Sequence, residues 1–317
     1  MAFRLDPGLS TASEIRRVLG EQIGRAVLEL RVPGGPSAEG IHEVRKHIKK
    51  SRSLLRLARA DVGAGVARHA NAELRRVGAD LARQRDADAL VEALDRLVDA
   101  DPPRPDADAD ADALALVRVR SALAERAEAV RASDAVDQAT VRGAARTLEQ
   151  LATWIDLVPA RAEGWVALGP GLSRSHRRGR AAFAALPGEP SADELHEWRK
   201  RVKDLWYHQR LLRRLWPEVQ RPIIAAADQL ADVLGQEHDL ALLLEVLTAT
   251  DAPSPEVAPV LVDPADRDLV VAVADDQRAD LQAVARDLGE RLYADDEQAW
   301  ERRHRAWWEA AAGGATA

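Results

Sequence analysis

The chain has 317 residues, no cysteine and a formal net charge of −7 at pH 7. The lack of cysteine excludes disulfides and thiolate chemistry, and the negative charge argues against a general nucleic-acid binder. The apolar residues are mainly Ala, Leu and Val, which favour helices alongside the abundant Arg. The opening MAFRLDPGLS has no signal-peptide pattern and no long apolar run occurs, so we expect a soluble, cytoplasmic, all-α protein.

The hydrophobic periodicity and the turn residues predict helices in both halves of the chain. Ser37 and Ser191 each follow a proline and precede an acidic residue, which is typical of a helix N-cap. The acidic, proline-rich stretch 101–112 is unsuited to packing, so we expect a mobile loop there. In chain order, the predicted helices span about 9–31, 37–60, 64–100, 113–131, 138–157, 164–186, 191–216, 218–249, 266–293 and 296–312.

An internal repeat divides the sequence. Residues 36–49 read PSAEGIHEVRKHIK and residues 190–203 read PSADELHEWRKRVK, with eight identities in fourteen positions. LARQRD and LGQEHD follow at nearly the same offset and align Asp86 with Asp239. We therefore expect a tandem duplication, with repeats at 1–160 and 161–317 that form two four-helix bundles.

Positive charge is concentrated in three segments. Residues 42–59 carry a net +6, residues 196–216 a net +5 and residues 174–180 a net +4, so the rest of the chain carries −22. All five lysines lie in the first two segments. The basic segments at 42–59 and 196–216 follow the start of the repeated motif in each half.

Each basic segment forms a cationic stripe when it is drawn as a helix. An apolar face, including Val44 and Ile48 in the first copy and Trp198 and Val202 in the second, lies apart from the stripe. Like charges three and four residues apart repel, and acids are nearly absent from the stripes, so an outside anion is needed to offset the repulsion. The stripe residues are His42, Arg45, Lys46, Lys49, Arg52, Ser53 and Arg56 in the first copy, and His196, Arg199, Lys200, Lys203, Tyr207 and Arg210 in the second.

Other interpretations remain open at this stage. The stripes could face acids of neighbouring helices or be solvated, and Arg174 and Arg177 line the same site or a solvated face. A metal at the stripe histidines is disfavoured because cations surround them, and we expect neither metal nor cofactor. His47, His176 and His208 are auxiliary at most, Trp206 occupies a stripe position, and Asp86 and Asp239 are expected to pair with a stripe arginine.

The pattern H-x-x-R-K-x-x-K, present at His42 and again at His196, resembles the CHAD domain, the conserved histidine α-helical domain. The downstream Arg-Asp and His-Asp pairs, at 85–86 and 238–239, look like the second motif of that family. The resemblance implies two four-helix bundles about a pseudo-two-fold axis, a basic cavity or groove between them, polyphosphate binding and association with polyphosphate granules. Departures occur at Ser53 and Trp206, where the family commonly has Tyr and Arg, and at Arg210, a common acidic position.

The leading hypothesis is a non-catalytic protein that binds inorganic polyphosphate and binds neither duplex nucleic acid nor a membrane. The first alternative is a metal-dependent phosphohydrolase, which would need clustered carboxylates near the stripes. The second is single-stranded nucleic-acid binding, which would need aromatic platforms. The E-x-E-x-K motif of the triphosphate-processing CYTH domain, often fused to the family, does not occur in this sequence.

Overall fold

The computed structural model describes residues 3–81, 85–100, 109–133, 137–249 and 260–314, and the regular structure in these ranges is entirely helical. This confirms the predicted all-α class. The helices are α1 (Thr11–Leu30), α2 (Ala38–Leu57), α3 (Arg59–Val62), α4 (Ala64–Asp80), α5 (Arg85–Ala100), α6 (Ala109–Ser133), α7 (Gln138–Asp156), α8 (Gly164–Ala184), α9 (Ala192–Leu211), α10 (Pro217–Thr248), α11 (Pro264–Leu292) and α12 (Glu297–Gly313).

The predicted helices agree with this order except in one region. The single helix predicted at 64–100 is α4 and α5, and the short α3 before it was not predicted. Most of the acidic loop predicted at 101–112 lies outside the described residues. Along the described ranges, no helix combines the length and the apolar character needed to cross a membrane.

The two basic helices begin at equivalent capped positions, as predicted. The hydroxyl of Ser37 accepts a hydrogen bond from the Gly40 amide at 3.1 Å and so caps α2. Ser191 caps α9 in the same way, and the Glu194 carboxylate accepts from the Ser191 amide at 2.8 Å to complete a capping box. Each cap satisfies an amide that the helix itself leaves unpaired, and both fix the register of the basic residues that follow.

The chain forms two compact units. Unit 1 comprises Met1–Leu81, Val136–Ala231 and Leu288–Ala317, and unit 2 comprises Ala82–Ala135 and Asp232–Asp287. Each unit draws on both predicted repeats. The repeat boundary at 160/161 and the arrangement as two four-helix bundles with a groove between them stay predictions.

Unit 1 contains both basic helices. Within it α1 packs on α2 and α7, α8 packs on α9 and α12, and α2 contacts α8 and α9. The N-termini of α1 and α8 are bonded directly, because Glu163 accepts from the Thr11 amide at 2.8 Å and the Gly164 amide donates to the Thr11 hydroxyl at 3.1 Å. Thr11 and Gly164 are 153 residues apart, close to the offset of the sequence repeat.

Unit 2 has its own apolar core. Leu94, Val119, Leu243 and Val270 are buried at its centre. Ion pairs bridge its helices around this core, including the one between Arg118 and Asp266 at 2.6 Å. Neither basic helix lies in unit 2.

Candidate functional site

The predicted apolar faces of α2 and α9 form their buried sides. Val44, Ile48 and Leu55 of α2 are buried, as are Leu195, Trp198, Val202 and Leu205 of α9. The cations of the predicted stripes are half-buried, apart from Lys49 and Lys200, which are exposed. Burial of one face therefore holds the cationic stripe of each helix at the opposite, solvent-accessible side.

The two basic helices meet at their C-terminal parts. The His208 ring donates from Nε2 to the Ser53 carbonyl oxygen at 3.1 Å, and the Arg56 guanidinium forms an ion pair with the Asp204 carboxylate. Residue numbers rise along α2 as they fall along α9, so the helices are locally antiparallel. His42 and His196 each lie eleven residues before the centre of this contact, which is roughly 16 Å along an α-helix. The histidines therefore lie far from the junction, near the N-terminal ends of their helices.

A cluster of like charges lies on one side of this junction. Burial lowers the pKa of the Lys50 ammonium, and the next largest cause is the positive charge of Arg210 on the other helix, with a smaller contribution from Arg25. The guanidinium of Arg210 lies over the Trp206 ring, 4.6 Å from its centroid. Within the described residues, no carboxylate forms an ion pair with Lys50 or Arg210. Two cations from different repeats therefore repel each other, and the carboxylate of Glu43, which is paired with Lys46, offsets only part of that repulsion at Lys50.

A second cluster surrounds Asp204 on the other side. Burial and then the charge of Arg56 lower the pKa of Arg52, whose Nε has no hydrogen-bond partner among the described residues. Burial and then Arg201 lower the pKa of Arg178 on α8. The Asp204 carboxylate acts against both shifts. Asp204 lies among these arginines without balancing their charge, although Arg201 also pairs with Glu197 at 3.4 Å.

Two stripe lysines have local acidic partners. Glu43 accepts from Lys46 at 2.6 Å, and Glu197 accepts from Lys200 at 2.5 Å, at equivalent positions of the two repeats. The alternative that internal acids match the stripes therefore holds for these two lysines and for Arg56. Exposed ion pairs between residues three apart on a helix contribute little to stability. Each lysine can therefore leave its glutamate and bind another anion at a small cost in free energy.

Tyr207 does not lie in the stripe as predicted. Its side chain is only 6% exposed, and its ring packs edge-on against Phe3, with 5.9 Å between the centroids. Burial raises the pKa of its hydroxyl to about 12. The neighbouring Trp206 is half-buried and contacts Arg210. The helical wheel is therefore correct for the cations of α9 but wrong for this tyrosine.

The histidines near the stripes are structural or partly buried. His47 donates from Nδ1 to Gln22 Oε1 at 2.9 Å, and the His176 ring stacks on Trp300 with 4.2 Å between the centroids. Burial lowers the pKa of His47, and likewise of His176, to about 4, so both rings are neutral near pH 7. Burial, reinforced by Lys200, also lowers the pKa of His196. No group of three or more acids or histidines among the described residues has the arrangement of a metal site.

The α8 arginines divide between two surfaces. Arg177 donates to Glu297 Oε1 at 3.0 Å and lines a cavity of about 710 Å³ with Phe183 and Tyr293. Arg178 instead lies close to Arg201 and Asp204, together with Arg174. That Arg177 lines the site of the stripes stays a prediction, whereas Arg174 and Arg178 lie together near Asp204. Residues 174 and 178 are one helical turn apart, a spacing that could have indicated this from the sequence.

One of the two acids that were predicted to pair with a stripe arginine pairs with a different arginine instead. Asp239 accepts from Arg96 of α5 at 2.9 Å, within unit 2, so its predicted pairing with a stripe arginine is wrong. The side chain of Asp86 lies outside the described residues. Asp204 and Lys50 are the residues at the α2–α9 junction that the sequence reasoning missed. Lys50 adjoins Lys46, four residues earlier, on the helical wheel, whereas Asp204 has no signal other than its charge.

These observations define a class: an all-helical, internally duplicated protein in which two equivalent basic helices meet at their C-terminal parts. The sequence model of the CHAD domain matches residues 18–248. That match covers most of the chain, which therefore belongs to the CHAD domain family.

Solved structures with the same fold are distant in sequence. The CHAD domain from the plant Ricinus communis superposes with a TM-score of 0.58 at 20% identity, covering 91% of this chain and 94% of the other. PptA from Streptomyces chartreusis superposes with a TM-score of 0.57 at 16% identity, covering 90% of this chain and 100% of the other. At these identities the likeness shows a shared fold. No curated protein sequence matches the chain.

Proposed function

We propose that this protein binds inorganic polyphosphate, without catalysis, along the cationic stripes of α2 and α9. The observation that carries this proposal is the junction of the two helices. There the positive charge of Arg210 from one repeat acts on Lys50 of the other, and several arginines surround the carboxylate of Asp204. The positive charges of these side chains repel one another, and a bound polyanion would offset that repulsion.

A phosphate chain fits this surface chemically. It carries about one negative charge per unit, and its oxygens accept hydrogen bonds from guanidinium and ammonium groups. The −22 charge of the sequence outside the three basic segments disfavours approach of a broad duplex polyanion. A thin and flexible phosphate chain can follow the stripes without that repulsion.

Family membership supports the same function. The motif pattern that identifies the chain as a CHAD domain also implies polyphosphate binding and association with polyphosphate granules, and we extend both properties to this protein. The structural match to the Ricinus communis CHAD domain supports the extension at the level of the fold.

The acids at the surface favour binding over hydrolysis. A magnesium-dependent phosphohydrolase would need several carboxylates turned toward the phosphates. Here the carboxylates of Glu43, Glu197 and Asp204 are each engaged by a cation of their own helix or of the facing one. They therefore act as partners of the stripe cations, and we expect no phosphate release.

Titration of long-chain polyphosphate and of a single-stranded oligonucleotide of equal charge tests the proposal. At about 50 and 200 mM salt, the affinity for polyphosphate should fall steeply as salt increases, because each phosphate contact releases counterions. Polyphosphate should bind about tenfold or more tightly than the oligonucleotide, since stacking platforms are few. Equal affinity for the two ligands, insensitivity to salt, or phosphate release in the presence of Mg²⁺ or Mn²⁺ would contradict the proposal.

A further inference from the structure

The contacts between α2 and α9 follow the symmetry of the repeat. At the offset of 154 residues, Arg56 corresponds to Arg210 and Lys50 corresponds to Asp204. The Arg56–Asp204 ion pair and the Lys50–Arg210 approach are therefore the same contact with the two repeats exchanged. This exchange is what a local two-fold relation between the helices produces.

The chemistry of the two equivalent contacts differs. On one side the Arg56 guanidinium binds a carboxylate that is only 11% exposed, so that arginine is satisfied within the protein. On the other side Lys50 is the residue that corresponds to Asp204 in the repeat, and the positive charge of Arg210 acts on this second cation. The fold thus provides two equivalent arginine sites, one filled by an internal anion and one not.

Aromatic contacts hold Arg210 in place without an acid. Its guanidinium lies over Trp206 at 4.6 Å and over Phe3 at 5.9 Å from the ring centroids. The segment that carries Phe3 is fixed to the end of α9, because the Leu5 amide donates to the Leu211 carbonyl oxygen at 2.9 Å. A guanidinium positioned by aromatic faces keeps its N–H groups available to an oxyanion.

We propose that Lys50 and Arg210 form a phosphate subsite, in which a phosphoryl group takes the place that the Asp204 carboxylate takes beside Arg56. This inference rests on the proposed function and makes it more specific. Lys50 supplies a point charge and Arg210 a planar donor group, a combination suited to one phosphoryl unit of a chain. The lowered pKa of Lys50 is consistent with an ammonium that gains from a nearby anion.

Inorganic tripolyphosphate tests the subsite because it is short enough to probe one part of the surface. In calorimetric titrations, Lys50→Asp should weaken its binding about tenfold or more, because Arg210 then gains an internal partner. Lys50→Arg should retain the affinity within about threefold. Arg142→Asp makes the same charge change at an exposed position of α7 and serves as the matched control, with an expected change of about twofold or less at physiological salt.

Melting without ligand gives an independent result. Lys50→Asp should melt at or above the temperature of the wild type, since a repulsive pair becomes an attractive one. A lower melting temperature, or unchanged tripolyphosphate affinity in this variant, would overturn the inference. If the wild type binds long polyphosphate but not tripolyphosphate, the subsite is wrong and the proposed function stands. If it binds neither, both are wrong.

Discussion

Four histidines of unit 1 are buried, although each lies on a helix that also carries exposed cations. Burial lowers the pKa of His47, of His176 and of His208 to about 4, and that of His304 to about 3. The folded protein therefore holds these rings neutral at pH values where an unfolded chain would protonate them, with a pKa near 6.5.

These histidines predict acid lability. The stability that they contribute is fully present above about pH 6.5 and is lost as the pH falls toward 4, because the unfolded chain then binds protons that the folded chain cannot. The free energy of unfolding should fall by on the order of 1 kcal/mol per histidine for each pH unit within that window. Urea unfolding between pH 7.5 and about 4.5 measures this.

The substitution His208→Gln tests the contribution of one histidine to this pH dependence of the free energy of unfolding. His208→Gln keeps a nitrogen donor for the Ser53 carbonyl oxygen but removes the titrating ring. The slope of stability against pH should decrease in this variant. Stability that stays flat from pH 7 to pH 4.5 in the wild type would contradict the buried, neutral state of these rings.

At the scale of the residue, the sequence could predict charge but not burial. Tyr207 falls on the stripe side of the helical wheel, yet Phe3 covers it, and a contact across more than 200 residues leaves no periodic signal. Asp204 shows the same limit. It counts as one acid in a basic segment, and only the arrival of Arg56 from the other repeat makes it the centre of an arginine cluster.

At the scale of the element, the contact between α8 and α2 depends on a glycine. A Cβ atom at Gly171 would collide with the carbonyl oxygen of Leu57 at the end of α2. Because the obstacle is backbone, no side chain can turn aside to make room. This close approach positions the C-terminal end of α2, where the basic helices meet.

Gly171→Ala should therefore destabilise the protein by about 3 kcal/mol, the upper end of the usual cost of overpacking. Gly20→Ala is the matched control, since Gly20 lies at an exposed position inside α1 with no atom within 4 Å of its Cβ position. The control should gain up to about 1 kcal/mol, because alanine favours a helix. Urea unfolding of both variants measures the difference, and a Gly171→Ala protein as stable as the wild type would refute the close contact.

Most helices could be predicted because caps and breakers mark their ends. Ser37, Ser191 and the flanking prolines fix the starts of α2 and α9 within one residue. The boundary between α4 and α5 was missed because the helical pattern continues across it, and the four residues of α3 are too few to give a period. The repeat predicted that the two basic helices are equivalent, but the offset between equivalent residues does not reveal which of them touch.

At the scale of the whole molecule, neighbours in sequence are not always neighbours in space. Unit 1 and unit 2 each combine segments from both halves of the chain, while the predicted bundle for each half stays a prediction. Both basic helices lie in unit 1 as a consequence. Their cations act on one another because the fold joins the two repeats there, which composition and periodicity alone could not establish.

The acidic total of the molecule and its basic stripes are compatible because the charges are segregated. The net charge of −7 is that of the whole chain, while the basic segments at 42–59 and 196–216 carry +6 and +5. Salt screens exposed charges beyond about 8 Å at physiological ionic strength, so a bound polyanion responds mainly to the local cations. In the proposed function, local charge therefore governs binding, and the total charge governs which large polyanions can approach.

The most direct measurement is polyphosphate binding by the double charge reversal Arg45→Glu with Arg199→Glu, one change in each stripe. The account predicts a loss of affinity of about a hundredfold or more, with cooperative melting retained near the wild-type temperature. The exposed pair Arg142→Glu with Arg305→Glu, on α7 and α12, controls for total charge and should bind nearly as the wild type does. Undiminished binding by the stripe variant, or a much lower melting temperature, would contradict the claim that the stripes serve an external polyanion.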